Sequence, residues 1–238
     1  MKCVNIITPV KDSIDTALET AAAIMASDIG MPFIYTIYND FSTEENTQKL
    51  QEASREMGFR LVNMSDLTDR PSPNYLLALR IARRETLDME GALVIVESDV
   101  TVRPETIRGL INGSLERKDC GIAASVTVDS DGKINYPYSH ANGIKQDVVA
   151  TKKHCSFCCS LLTNRLLSAV DFGSLGTNKD WYDVTISHKS LECGLTNYLF
   201  LNLPVEHKPH GSRPWKKLKY SNPLKYYWIK LTKGMDKI

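Results

Sequence analysis

Glu97-Ser98-Asp99 places two carboxylates two residues apart, directly after the apolar run Leu93-Val94-Ile95-Val96. In an extended chain residues i and i+2 project to one side, so both carboxylates can face a single ligand. Paired hard oxygen donors at the carboxyl end of a strand suit a divalent cation such as Mg2+ or Mn2+, whose charge in turn offsets that of a diphosphate. A solvated acidic turn is the structural alternative. Asp40, in Asn39-Asp40-Phe41-Ser42-Thr43, lies over the same sheet edge. There it either accepts a hydrogen bond from a base N–H or belongs only to the turn. Asp180-Trp181-Tyr182-Asp183 puts two carboxylates one turn apart at the start of a late helix, where capping also explains either of them. His207 and His210 in Val205-Glu206-His207-Lys208-Pro209-His210 offer imidazoles, as ligands or as surface residues. His140, His154 and His188 have no comparable context.

The elements that must hold these residues alternate in type. Residues 4–8, 33–38, 59–63 and 93–96 read as strands, and 13–27, 44–57 and 74–89 as helices. Ser42-Thr43-Glu44-Glu45 reads as a capping box with Ser42 as the cap. The unbroken apolar run at 93–96 marks a strand covered on both faces, in the middle of a parallel sheet. Pro104 opens a helix to about 116, and 121–128 is a further strand. This alternation predicts an α/β sheet with helices on both sides, which binds ligands at the carboxyl ends of its strands. Residues 129–150 hold Ser130-Asp131-Gly132, Tyr136-Pro137-Tyr138 and Asn142-Gly143, a turn-rich excursion expected to form a hairpin or a flap. Regular structure resumes with a helix over 178–192 and a strand over 198–205.

At 238 residues, 42% of them hydrophobic, the chain can bury one substantial core. Its longest apolar run, 21–26, is far short of the roughly 20 residues a membrane span needs. The first residues lack the features of an export signal, and a cytoplasmic location is expected. Six cysteines at irregular spacing read as reduced thiols. Cys155 and Cys158 form a CxxC, but further zinc ligands are only distant candidates such as Cys193, so buried thiols in a packed strand are the preferred reading.

Charge is divided unevenly. Residues 213–238 carry eight Lys/Arg against one Asp, or +7; with +1 for the whole chain, residues 1–212 carry −6. That tail also holds Leu224, Tyr227, Trp228 and Leu231 on one helical face. Such a segment suits an anionic membrane surface, or a terminal helix packed on the domain by its aromatics. Nucleic acid is disfavoured because the remaining domain is acidic.

Thr8-Pro9 after the first strand, Asn39-Asp40-Phe41-Ser42 after the second, Glu97-Ser98-Asp99, Asp183 before Gly194, and His207 occur in one order. That order resembles the family 2 glycosyltransferases of the GT-A fold, over about residues 3–212. The best stretch is Leu87-Asp88-Met89-Glu90-Gly91-Ala92 running through the apolar strand into Glu97-Ser98-Asp99-Val100; Arg165 in Thr163-Asn164-Arg165 resembles the arginine before the family's base-bearing helix.

The resemblance implies a single GT-A-type domain at 1–212, with a nucleotide-binding half (1–128) and an acceptor half (129–212); the basic tail read from its charge follows at 213–238. It implies that Thr8, Pro9 and Asp40 contact the nucleotide base, that Glu97 lies near the ribose or a metal-bound water, and that Asp99 and His207 hold Mn2+ or Mg2+. Asp183 would be the general base of an inverting transfer from a nucleotide diphosphate sugar, UDP- or GDP-type, to a saccharide or lipid-linked saccharide, with Asp180 and His210 in reserve. The sequence departs from the family at Glu97, Asn39, Tyr182, Thr185 and Lys189, which keeps open a non-catalytic module that binds a nucleotide sugar or a partner. No glycine-rich phosphate loop follows the first strand, which argues against nucleotidyltransferases, dinucleotide enzymes and Walker-loop proteins.

Overall fold

The computed structural model describes residues 1–176, 181–208, 222–225 and 228. Asp180, His210 and most of the 213–238 tail, including Tyr227 and Leu231, lie outside the described residues.

The elements follow in the order β1 (Val4–Val10), α1 (Ile14–Met25), β2 (Phe33–Asn39), α2 (Glu44–Met57), β3 (Arg60–Asn63), α3 (Tyr75–Asp88), β4 (Ala92–Val96), β5 (Val100–Thr101), α4 (Thr106–Leu115), β6 (Cys120–Val128), β7 (Val148–Thr151), β8 (Cys159–Leu162), α5 (Asn164–Ala169), α6 (Tyr182–Glu192) and β9 (Thr196–His207). They build one nine-stranded sheet in the order β3-β2-β1-β4-β8-β6-β9-β5, with β7 also paired to β9. β3, β2, β1 and β4 run parallel. β8 is antiparallel to both β4 and β6, whereas β6 and β9 are again parallel. The expected α/β architecture is therefore present, a mixed half following the parallel one.

Period-2 alternation explains why both faces need cover. Val4, Ile6 and Val10 of β1 join α1, α2 and α4 in one core through Ala17, Ala21, Leu50 and Ile107. Ile7 points to the other core, where Leu76, Leu79 and Ala82 of α3, Leu166 of α5 and Ile186 of α6 pack. All five residues of β4 are fully buried, as an apolar run sandwiched between two helical layers must be. At about 1.5–3 kcal/mol per large apolar side chain, this strand is a main anchor of the fold. Asn5, buried on the α3 side, donates its amide N–H groups to the Ala82 carbonyl and the Thr86 hydroxyl.

Two details correct the sequence reading. β4 sits mid-sheet, but its β8 neighbour is antiparallel, because the chain returns to it from a later excursion rather than through a crossover helix. α2 is capped by Thr43, whose hydroxyl accepts from the Asn46 N–H, not by Ser42. Ser42 instead accepts from the Asp12 N–H, and Glu45 pairs with Lys49 one turn on. The excursion after β6 does contain a hairpin, closed by a Val128–Ile134 bridge, and it is fastened down where the Thr127 hydroxyl donates to the Asn135 and Tyr136 carbonyls. Among the described residues no helix is long and apolar enough to cross a membrane.

Candidate functional site

β4 ends at Val96, and the chain turns through Glu97-Ser98-Asp99 into β5. β8 runs beside β4 with Cys159 opposite Val96, so Cys158 lies alongside Glu97; the Glu97 N–H donates to the Cys158 carbonyl at 3.0 Å. On the other flank β5 pairs with β9, placing His207 opposite Val100, and the Lys208 N–H donates to the Asp99 carbonyl at 2.9 Å. The acidic triplet is thus stitched between two strands, one delivering a thiol and the other an imidazole.

Asp99 and His207 are both only 4% exposed, with His207 Nε2 3.6 Å from Asp99 Oδ2. His207 Nδ1 lies 2.8 Å from the Tyr136 carbonyl oxygen. A carbonyl only accepts, so Nδ1 carries the proton and a neutral ring turns its bare Nε2 lone pair toward the carboxylate. Two acceptors facing each other in a buried corner call for a cation between them, a proton or a metal ion. Burial works to lower the His207 pKa, but the hydrogen bond and charge of Asp99, the Tyr136 carbonyl and the charge of Glu97 outweigh it, and the pKa is raised. The donor set therefore fits a divalent cation: carboxylate oxygens, and an imidazole whose far nitrogen is oriented by a backbone carbonyl, as in many metal centres.

Cys158 completes this corner. Its thiol donates to Glu97 Oε2 at 3.5 Å and lies 3.3 Å from the Ser156 hydroxyl. Burial first, then the charge of Glu97, pushes its pKa well above the usual thiol value. Among the described residues, Glu97, Cys158 and His207 form the one trio whose donor atoms all lie within 4.8 Å of one another. Cys155, the other half of the CxxC, is outside this trio; it is buried, and its backbone N–H donates to the Ser187 hydroxyl of α6.

Asp183 lies in the first turn of α6 and accepts from the Val184 N–H at 2.9 Å. Its charge adds to the effect of burial in raising the Tyr138 phenol and the Cys155 thiol, the two groups it lies near. The Tyr138 hydroxyl accepts from the Ser156 N–H at 2.8 Å, two residues before Cys158. α6 is approached through residues 172–175, whose carbonyls at Phe172, Gly173 and Leu175 all accept from Arg80 of α3. Arg165, on α5, donates to the Lys118 carbonyl.

The residues expected at the nucleotide base are placed differently. Thr8 is fully buried, its hydroxyl accepting from Tyr35, so neither its side chain nor its backbone is open to a ligand in this structure. Pro9, its partly exposed neighbour in β1, sits opposite Tyr38 of β2. Asp40 follows β2 and accepts from the Ser72 hydroxyl at 2.7 Å, the Asn74 N–H at 2.9 Å and the Asn74 side-chain amide at 2.8 Å. It fastens the start of α3 to the end of β2. Replacing it strands three donors, two of them in Asn74, which is 8% exposed. Asp40→Ala should therefore cost about 1–3 kcal/mol in urea unfolding. An unchanged midpoint would mean that this network holds nothing.

Neither a family model nor a curated protein matches the sequence. Solved structures do. The chain superposes on the mannosyltransferase PcManGT from Pyrobaculum calidifontis, a complex with GDP-Man and Mn2+, over 96% of its length with a TM-score of 0.67 and 13% identity. The chain has the GT-A glycosyltransferase fold. TarS 1–349 of S. aureus (TM-score 0.62, 14% identity, 87% of this chain) and a mycobacterial protein (0.58, 16%, 89%) also match. The chain spans 64%, 60% and 69% of these three structures. In GT-A terms, the cluster at the ends of β4 and β9 occupies the carboxyl edge of the sheet, where open α/β sheets receive their ligands.

Cys158, read in the sequence as a buried thiol rather than a ligand, stands in this cluster with Glu97 and His207. Its signal was the CxxC it shares with Cys155, read as buried thiols; that it borders Glu97 depends on recognising Cys159–Leu162 as a strand beside β4.

Proposed function

We propose that this chain is a glycosyltransferase that moves a sugar from a nucleotide diphosphate sugar, GDP- or UDP-type, to an acceptor hydroxyl with inversion. The observation that carries the reading is the meeting of half-buried Glu97 with buried Asp99 and His207 at the carboxyl edge of a GT-A sheet. Asp99 and His207 would hold a divalent cation, with Mn2+ or Mg2+ the hard-donor choice and Glu97 alongside. Bound there, the cation supplies positive charge against the donor's diphosphate. The half formed by residues 1–128 would take the nucleotide, through Pro9 and the remaining lone pair of Asp40 Oδ1, with Thr8 packed beneath. Residues 129–212 would take the acceptor.

Asp183 would accept the proton of the acceptor hydroxyl as that oxygen attacks the anomeric carbon. The bond from that carbon to the diphosphate breaks on the opposite face, and the nucleotide diphosphate leaves. The acceptor would be a saccharide or lipid-linked saccharide used in surface glycan assembly on the inner face of the cell membrane. Exposure of Leu224 and Trp228 in the basic 213–238 segment supports a membrane contact there. In co-sedimentation with anionic vesicles the full chain should pellet and a chain cut at residue 213 should not; equal pelleting would remove the segment from the argument.

A thermal-shift panel tests the function itself. A nucleotide diphosphate sugar at about 100 times its Kd should stabilise the protein by about 2.7 kcal/mol. The shift should shrink when the cation is chelated, and the stabilising donor should turn over with a suitable acceptor. Binding without turnover or hydrolysis would favour the non-catalytic module; no shift with any donor would overturn both.

A further inference from the structure

The proposed cation site has a donor that a hard-metal reading does not use. Cys158 Sγ lies 3.5 Å from Glu97 Oε2, and Asp99 Oδ2 lies 3.6 Å from His207 Nε2. Ligand atoms on a tetrahedral centre with bonds of 2.0–2.3 Å are separated by about 3.3–3.8 Å, so both pairs already stand one polyhedron edge apart. Glu97, Cys158 and His207 also lie within 4.8 Å of one another. Cys158 has little freedom to leave. It is 2% exposed, its carbonyl is tied to Glu97, its N–H donates to the Ser156 hydroxyl, and the next residue enters β8 against Val96.

We propose that Cys158 is a further ligand at the Glu97–Asp99–His207 site, making it a carboxylate, imidazole and thiolate centre that takes a thiophilic cation of the Zn2+ or Co2+ type in preference to Mg2+. Thiolate and imidazole select Zn2+ over the hard cations, whereas carboxylate and water suit Mg2+ and Mn2+. On binding, the S–H bond breaks, sulfur gives its electron pair to the metal, and the proton leaves to solvent. The hydrogen bond to Glu97 is replaced by joint coordination. This inference rests on the cation site proposed above and changes the class of metal that fills it.

The test uses the full chain, stripped with chelator and reloaded. Co2+ should give a sulfur-to-cobalt charge-transfer band in the near ultraviolet, together with the intense visible bands of four-coordination. That band should vanish in Cys158→Ser and persist in Cys193→Ser, which removes an exposed thiol. Zn2+ should displace Mn2+ from the wild type, and its affinity should fall at least about tenfold in Cys158→Ser, the lower bound for perturbing even an outer-shell partner. X-ray absorption of the Zn2+-loaded wild type, which needs no variant to fold, should place one sulfur at about 2.3 Å. Cation binding with oxygen and nitrogen scatterers alone, or a charge-transfer band that survives Cys158→Ser, overturns the thiolate ligand and leaves the site standing. Failure of Mn2+, Co2+ and Zn2+ alike to bind overturns the thiolate ligand and the cation site together.

Discussion

Asp183→Asn should lower kcat by roughly a hundred- to ten-thousandfold, the usual contribution of a positioned general base. The Val184 N–H that Asp183 Oδ1 accepts finds the same acceptor in an asparagine amide, so the first turn of α6 keeps that bond. What disappears is the ability to take a proton, and with it a negative charge near Tyr138 and Cys155. Because the lost interaction belongs to the transition state, kcat and kcat/KM should fall together, while the donor's thermal shift stays at its wild-type size. A different pattern carries a different meaning: a raised KM with kcat intact would make Asp183 a substrate contact. Full activity in the variant would put the base elsewhere.

The parallel half of the fold was legible because each element there carries its own periodicity. β4 is a five-residue apolar run, and α3 repeats Leu76, Leu79 and Ala82 on one face. The strands that went unread are those whose identity depends on a partner. Val100–Thr101 is two residues long and exists as a strand only because β9 lies against it. Val148–Thr151 has no fully buried residue, so no alternation announces it. Cys159–Leu162 is buried throughout, Ser160 included, so four residues covered on both faces show no inward–outward alternation.

The site followed the same logic. No local pattern links Asp99 to His207, and their meeting depends on the β5–β9 pairing, which only the order of motifs in a resembling family suggested. Asp40 shows the converse hazard. A carboxylate after a strand reads equally well as a base contact or as an anchor, and the three donors that engage it come from residues 72 and 74, more than thirty positions away. Cys158 was chemically visible in the sequence but spatially mute: nothing in the CxxC told which of its two thiols faces Glu97.

Asp99→Asn should separate the cation's part from the proton's. With cation present, loss of the carboxylate charge should remove about 3–4 kcal/mol of transition-state stabilisation, a fall of two to three orders of magnitude in turnover, and abolish the Mn2+-dependent rise in Tm. With cation chelated the variant should differ in another respect. In the wild-type fold the His207 pKa stands above its ordinary value of 6.5, with Asp99 the strongest of the groups that raise it against burial. A raised pKa means that the folded state holds the proton more tightly than the unfolded one. Its stabilising contribution is therefore complete below 6.5 and is lost as pH climbs through the folded-state value. Chelated wild-type protein should lose stability over that window, whereas chelated Asp99→Asn should show a flatter curve there. Tm measured with and without chelator between about pH 5.5 and 8.5 reads both effects. Parallel curves for the two proteins would mean that Asp99 and His207 are neighbours without being partners, and an undiminished Mn2+ shift in the variant would take Asp99 out of the site.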